Sequence, residues 1–288
     1  MRCGWRLAVA QPWRYGLRRG GWSDWWSEGW SIACVCAWLL LAQALGMSMA
    51  RADAPRVVRI AVVAHSDREL VDAAAVQNTA ASVRLQAVAF PNAAAARRAL
   101  AAQRVDASIA EDTQALAGDT SLCAAAYTVT YAMGLYARRI GALRQVPLEA
   151  TVAVPADRAG QGRALLLLQN FGLIRIDANA GLQPRVRDIV DNPRKLRVEP
   201  VPASRLAAAL PHHALVAMPF AVADAAGLAP ARDALGIEDA RVPWANALAV
   251  RANECHADWV RAAVAALHSP AMKAFILTRF QDSVRRPW

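Results

Sequence analysis

From residue 57 onward, short β-branched runs alternate with helix-forming stretches, and this alternation narrows the architecture more than any other feature of the chain. Val57-Val58-Arg59-Ile60-Ala61-Val62-Val63 has the length and branching of a strand. A helical stretch follows from Asp67 to about Gln77, with Asp67 as its expected N-cap, and alternating apolar residues from Ser82 to Phe90 give a second strand. The alanine-rich segment 93–103 predicts a helix on propensity alone. Asp106–Ala110 and Tyr127–Tyr136 read as strands, and Thr151–Val154 forms another that ends at Pro155. A helix is expected from about Gln161 to Asn170, and a short one over Asp188–Asp191. Strands at 196–201, 214–218 and 247–250 and helices at 204–210, 256–267 and 270–280 complete the pattern, with Ser269-Pro270 as cap and first helical residue of the last. Such alternation predicts an α/β fold with largely parallel sheets. Roughly 235 residues is natural for two lobes rather than one open sheet.

The first fifty residues are of another kind. Seven of the ten tryptophans lie in the first 38 positions, followed by the apolar run Ile32–Met47 and then Ala50-Arg51-Ala52. A basic start, a short apolar stretch and a small-x-small site describe an export signal cleaved before Asp53, releasing a soluble protein to the periplasm. An uncleaved membrane anchor is the alternative, although a spanning helix wants about 20 apolar residues. No cysteine follows the apolar run at a position suited to lipid attachment. Cys123 and Cys255 can pair in an oxidising compartment or sit as small buried hydrophobes, and the buried state is the expectation.

The net charge of +10 comes from scattered arginines, without the basic stripe of a nucleic-acid binder, so no nucleic-acid partner is expected. Phosphate-binding loops, dinucleotide fingerprints and nucleophile elbows are missing from the sequence, and no enzymatic activity is expected. His212-His213 are adjacent and cannot share one helical face as metal ligands do, and neither metal nor cofactor is expected. His65-Ser66-Asp67 resembles a triad only on paper, because triads assemble in space. Gln161-Gly162-Arg163-Ala164-Leu165-Leu166-Leu167-Leu168 is more informative. Placed at the start of a helix, Arg163 offers a charged fork to a carboxylate beside free backbone N–H groups. The same arginine also fits a surface position on a helix anchored by its leucines.

Those residues, with Val154-Pro155, Asp157, Gly172-Leu173-Ile174, Asp188-Ile189-Val190-Asp191-Asn192-Pro193, Met133-Gly134-Leu135-Tyr136 and the end Pro287-Trp288, resemble the MetQ/NlpA family. These are methionine-binding components of bacterial ABC importers. The resemblance covers roughly residues 57–288. It implies a type II-like periplasmic binding protein with lobe one at about 53–138 plus 248–288 and lobe two at about 141–244. Crossovers near 138–142 and 244–248 would form the hinge. An amino acid would lie in the cleft, its carboxylate on Arg163 and its polar end near Asn246, with Gln161 and Gly162 beside the anchor. An ABC permease and ATPase would be the partners.

The departures from the family bear on specificity. Where members carry Phe-Phe-Gln-His-x-Pro-Tyr-Leu around the methionine side chain, this chain has Ile109-Ala110-Glu111-Asp112-Thr113-Gln114-Ala115-Leu116. The family's Asn-Gly-Asn-Tyr becomes Pro219-Phe220-Ala221-Val222, so Ala221 stands where an asparagine would bind ligand. Glu111 and Asp112 either face a cationic ligand group or are exposed loop charges. The resulting expectation is an importer's binding protein for an amino acid, with a family member that has lost its ligand and serves as an interaction protein as the alternative.

Overall fold

The computed structural model describes residues 54–78, 82–239 and 242–288. The leader, its expected cleavage site and the anchor alternative lie outside the described residues. The chain enters a first sheet through β1 (Arg56–Val62), crosses it with α1 (His65–Gln77) and returns as β2 (Val83–Ala89). β1 and β2 pair in parallel, from Arg56↔Val83 to Val62↔Ala89. After α2 (Ala93–Ala101), the two-residue β3 (Ala107–Ser108) lies parallel on the other side of β1. The single turn α3 (Thr113–Leu116) leads to β4 (Leu122–Tyr127), and β5 (Thr130–Tyr131) stands outside both large sheets.

β6 (Gly134–Tyr136) already belongs to a second sheet, which continues with β7 (Thr151–Pro155) and α4 (Arg158–Asn170). β8 (Arg175–Ile176) and β9 (Ile189–Asp191) form a small antiparallel pair. Then come β10 (Arg197–Val201), α5 (Ala203–Ala209), β11 (Leu215–Met218), α6 (Phe220–Ala225), α7 (Pro230–Asp233) and β12 (Gly236–Ile237). β13 (Ala247–Arg251) re-enters the first sheet, and α8 (Asp258–Leu267), α9 (Pro270–Phe280) and β14 (Val284–Arg285) follow. Ser269 caps α9 by accepting from the Met272 N–H at 3.2 Å.

The sheet orders are β2-β1-β3-β13-β4 and β10-β7-β11-β6-β12. Each is mixed rather than largely parallel. In the first, the returning β13 runs antiparallel to both β3 and β4; in the second, β6 runs antiparallel to β11 and β12. Both antiparallel insertions are segments next to a crossing between sheets, where the chain arrives without a helical crossover to reverse it. Val58, Ile60 and Leu248 centre one core, and Val152, Leu165, Leu168 and Leu215 centre the other. Burial of each such side chain contributes about 1.5–3 kcal/mol.

Four local expectations need correction. The run 127–136 is no single strand: β4 ends at Tyr127, β5 lies within a crossing between the sheets, and β6 opens the second sheet. That crossing therefore spans 128–133, earlier than 138–142, because Gly134–Tyr136 already pairs with β11. Residues 186–188 form a 3₁₀ turn and 189–191 a strand, so the short helix at Asp188–Asp191 is not formed. Cys123 and Cys255 are half-buried and disulfide-bonded, with Cα atoms 5.8 Å apart, rather than free core residues. β4 and β13 already pair at Cys123↔Val250, which carries the chain beyond Val250 back to a bridging distance.

Candidate functional site

The site is built where the two crossings pass α4. Helix α4 starts at Arg158, three residues before the sequence-based boundary, because Asp157 caps it and accepts from the Gly160 N–H at 2.7 Å. The helix N-terminus is thus occupied by a carboxylate of its own chain. Arg163 consequently stands in the second turn, away from the free N–H groups. Gly162 packs against a neighbouring backbone; a Cβ there would lie 2.8 Å from Cα of Gln183. The half-buried Gln161 is bonded through its N–H to the Asp157 carbonyl at 2.8 Å.

The Arg163 guanidinium already has a carboxylate partner. Nε donates to Glu238 Oε1 at 2.6 Å, and Nη2 donates to Glu238 Oε2 and to the Tyr131 carbonyl, each at 2.5 Å. The Trp244 ring lies 5.3 Å from the guanidinium carbon. The Glu238 side chain is only 3% exposed, and its Oε2 also accepts from the Met133 N–H at 2.8 Å. Tyr131 and Met133 belong to the first crossing, and Glu238 and Trp244 to the second, which leads from β12 to β13 and so begins earlier than the expected 244–248. One ion pair on α4 therefore ties both crossings together. Arg163, Glu238 and Trp244 wall a cavity of about 360 Å³ that extends to Leu166 and Asn170 on α4.

A second buried carboxyl joins this network. The Tyr131 hydroxyl donates to Asp67 Oδ1 at 2.7 Å, and Asp67 Oδ2 accepts from the Ala64 N–H at 3.2 Å. Asp67 is the third residue of α1 rather than its cap, a position held by Ala64. Burial pushes the Asp67 carboxyl up to about 6, against the lowering effect of the Tyr131 and backbone hydrogen bonds.

Asn246 is tied to the first crossing from the opposite side. Its N–H donates to the Val129 carbonyl at 2.8 Å, its carbonyl accepts from Thr128 at 2.7 Å, and its Nδ2 donates to the Ile109 carbonyl at 3.1 Å. Asp112 bridges to Asn246 through backbone pairing, and the Ala247 N–H donates to the Glu111 carbonyl at 3.1 Å. The side chains of these two acids are engaged within lobe one. Glu111 receives Arg97 through two hydrogen bonds, at 2.7 and 3.1 Å, and is no freely exposed loop charge. Asp112 caps α3 by accepting from the Ala115 N–H at 2.9 Å. Ala221 is exposed on α6.

Arg163 and Asn246 thus converge on the same crossing, with the Glu111–Asp112 backbone beside Asn246, while Gly162 turns to the 182–183 segment. Sequence reasoning read Asp67 only as a helix cap and missed Tyr131 and Glu238; of the latter two, only Glu238 carried a signal, a single acid directly after Gly236-Ile237.

Comparison with known proteins bears on what this arrangement serves. The D-methionine-binding lipoprotein MetQ of Escherichia coli (strain K12) is 29% identical over 223 residues, 75% of this chain and 82% of that protein. A nutrient binding protein from Burkholderia cenocepacia, solved bound to methionine, matches with a TM-score of 0.73 at 29% identity, covering 80% of this chain and all of that one. An ABC transporter periplasmic substrate-binding protein from Coxiella burnetii matches with a TM-score of 0.72 at 31% identity, over 79% and 99% of the two chains. The fold is that of a two-lobed periplasmic binding protein. Matched by the sequence model of that family over residues 58–288, the chain belongs to the NlpA lipoproteins.

Proposed function

We propose that this chain is the substrate-binding component of an ABC importer and holds an amino acid between its two sheets. The observation that supports this most is the position of Arg163, at the junction of both crossings and on the wall of a cavity of about 360 Å³. Cavities of that size accommodate small metabolites. Arg163 spends Nε and Nη2 on Glu238 and Tyr131, and a ligand carboxylate would be met by Nη1. Asn246, bonded to the same crossing as Arg163, would hold the other polar end. Relatives described as binding D-methionine or methionine favour an amino-acid ligand here. Export to the periplasm accords with the disulfide, which persists in oxidising compartments. The permease and ATPase of the importer would be its partners.

A second reading is favoured by one feature, the neutralisation of Arg163 by Glu238. A chain whose anchor is permanently occupied would act as a ligand-free interaction protein. A thermal-shift screen over amino acids, dipeptides and polyamines separates the two, because a ligand that binds only the folded state raises its melting temperature. A hit whose shift disappears in Arg163→Ala supports import. Silence across the whole set supports the interaction protein.

A further inference from the structure

Phe220 belongs by chain to the second lobe and by packing to the first. It opens α6 directly after β11, yet it is 4% exposed and sits in the core cluster built from β1, α1, α8 and α9. Its ring stacks on Tyr131 with centroids 5.0 Å apart and meets Phe280 edge-on at 6.0 Å. Phe275 extends the row, edge-on to Phe280 at 6.0 Å. Close to this row, the Ala231 N–H of α7 donates to the buried Ser283 Oγ at 3.0 Å.

The socket is held in shape from both sides. Tyr131 is fixed through its hydroxyl by Asp67 and through its carbonyl by Arg163. Phe280 ends α9, with Arg279 lying over its ring at 4.9 Å. Rotation of the second lobe about the two crossings would draw the Phe220 ring out of an apolar core and leave the faces of Tyr131 and Phe280 to water. Aromatic contacts of this geometry resist that withdrawal beyond the area they bury.

We infer that Phe220 is an interlobe clamp that keeps the two lobes together without a ligand, so that entry to the cleft is gated by release of this ring. The inference concerns the ligand-free chain and stands whether its ligand is an amino acid, another molecule or none. Spin labels at Gln86→Cys on β2 and Arg205→Cys on α5, both exposed positions in different lobes, report the interlobe distance while the native disulfide stays oxidised. The protein is unfolded and refolded to strip bound molecules, and the distance distribution is read by double electron–electron resonance. The clamp predicts one narrow distribution for the otherwise wild-type chain and a second, longer population in Phe220→Ala. Should Phe220→Ala fail to fold, Phe220→Leu, which keeps an apolar side chain in the socket but no stacking ring, is expected to show the longer population in smaller amount. A broad or two-population distribution in the chain with Phe220 intact overturns the inference, as does a narrow, unshifted one in the folded variant.

Discussion

Arg163 and Glu238, 75 residues apart in sequence, meet in a two-pronged ion pair at 2.6 and 2.5 Å that fastens helix α4 to both crossings between the sheets. From the sequence, this arginine reads as a carboxylate fork or as a surface position on a helix anchored by its leucines. Its position in a largely buried pair changes that expectation. Arg163→Ala leaves the Glu238 carboxylate without its counter-charge and should cost about 3 kcal/mol of stability. The double variant Arg163→Met with Glu238→Leu should recover much of the loss, since no charge is then stranded. Urea unfolding of the three proteins checks this; equal midpoints for wild type and Arg163→Ala would contradict it.

Asp67 makes stability depend on pH. Its folded-state value of about 6 lies above the unfolded value of 3.8, so the folded protein holds this proton more tightly. The resulting stabilisation is fully present below about pH 4 and is lost as pH rises through about 6. Asp67→Asn, which has no carboxyl to ionise, should therefore gain on wild type across that window by on the order of 2–3 kcal/mol. Urea titrations at pH 4, 5, 6 and 7 read the difference between the two proteins. A difference that does not change with pH would rule out the buried carboxyl as its source.

The disulfide encloses the whole second lobe, because Cys123 and Cys255 are 132 residues apart and both crossings lie between them. Replacing both cysteines by serine should cost on the order of 3–5 kcal/mol, mainly by freeing the unfolded chain. Melting curves of the oxidised protein and the double variant provide the comparison. Superimposable curves would show that the bond contributes nothing.

Much of the fold was legible because helices and strands reflect local periodicity: the β-branched run that forms β1, the leucines of α4 and the Ser269-Pro270 start of α9 are all short-range signals. The failures lie where partners come from far along the chain. The run 127–136 is rich in aromatic and β-branched residues, so nothing local marks the point at which it leaves one sheet for the other. The residue type and family position of Arg163 were visible, but its pairing with Glu238 depends on how two crossings pass one helix. The acids Glu111 and Asp112 looked available for the same reason. Arg97, which takes up Glu111, is on a separate helix, and the turn that Asp112 caps was not recognised.

L-methionine should bind more weakly than it does to relatives that carry aromatic rings around its side chain. Ile109 is buried in the lobe-one core, Asp112 caps α3 and Ala115 is exposed, so this segment presents no ring to a thioether. Each lost sulfur–aromatic contact removes roughly 0.3–1.5 kcal/mol. A competition titration against the strongest ligand of the thermal-shift screen measures the deficit. Submicromolar L-methionine binding would mean that another segment forms the wall.

On the proposed function, an amino acid binds between the sheets with its carboxylate on Arg163. Isothermal titration of refolded, ligand-free protein with individual amino acids tests it most directly, run in parallel on wild type and Arg163→Ala at a temperature where both are folded. The account predicts saturable one-site binding of at least one amino acid, weakened by roughly 30- to 1,000-fold in the variant, the equivalent of losing about 2–4 kcal/mol from a charge-assisted contact. Equal affinity in the two proteins, or no heat from any amino acid with wild type, would contradict it.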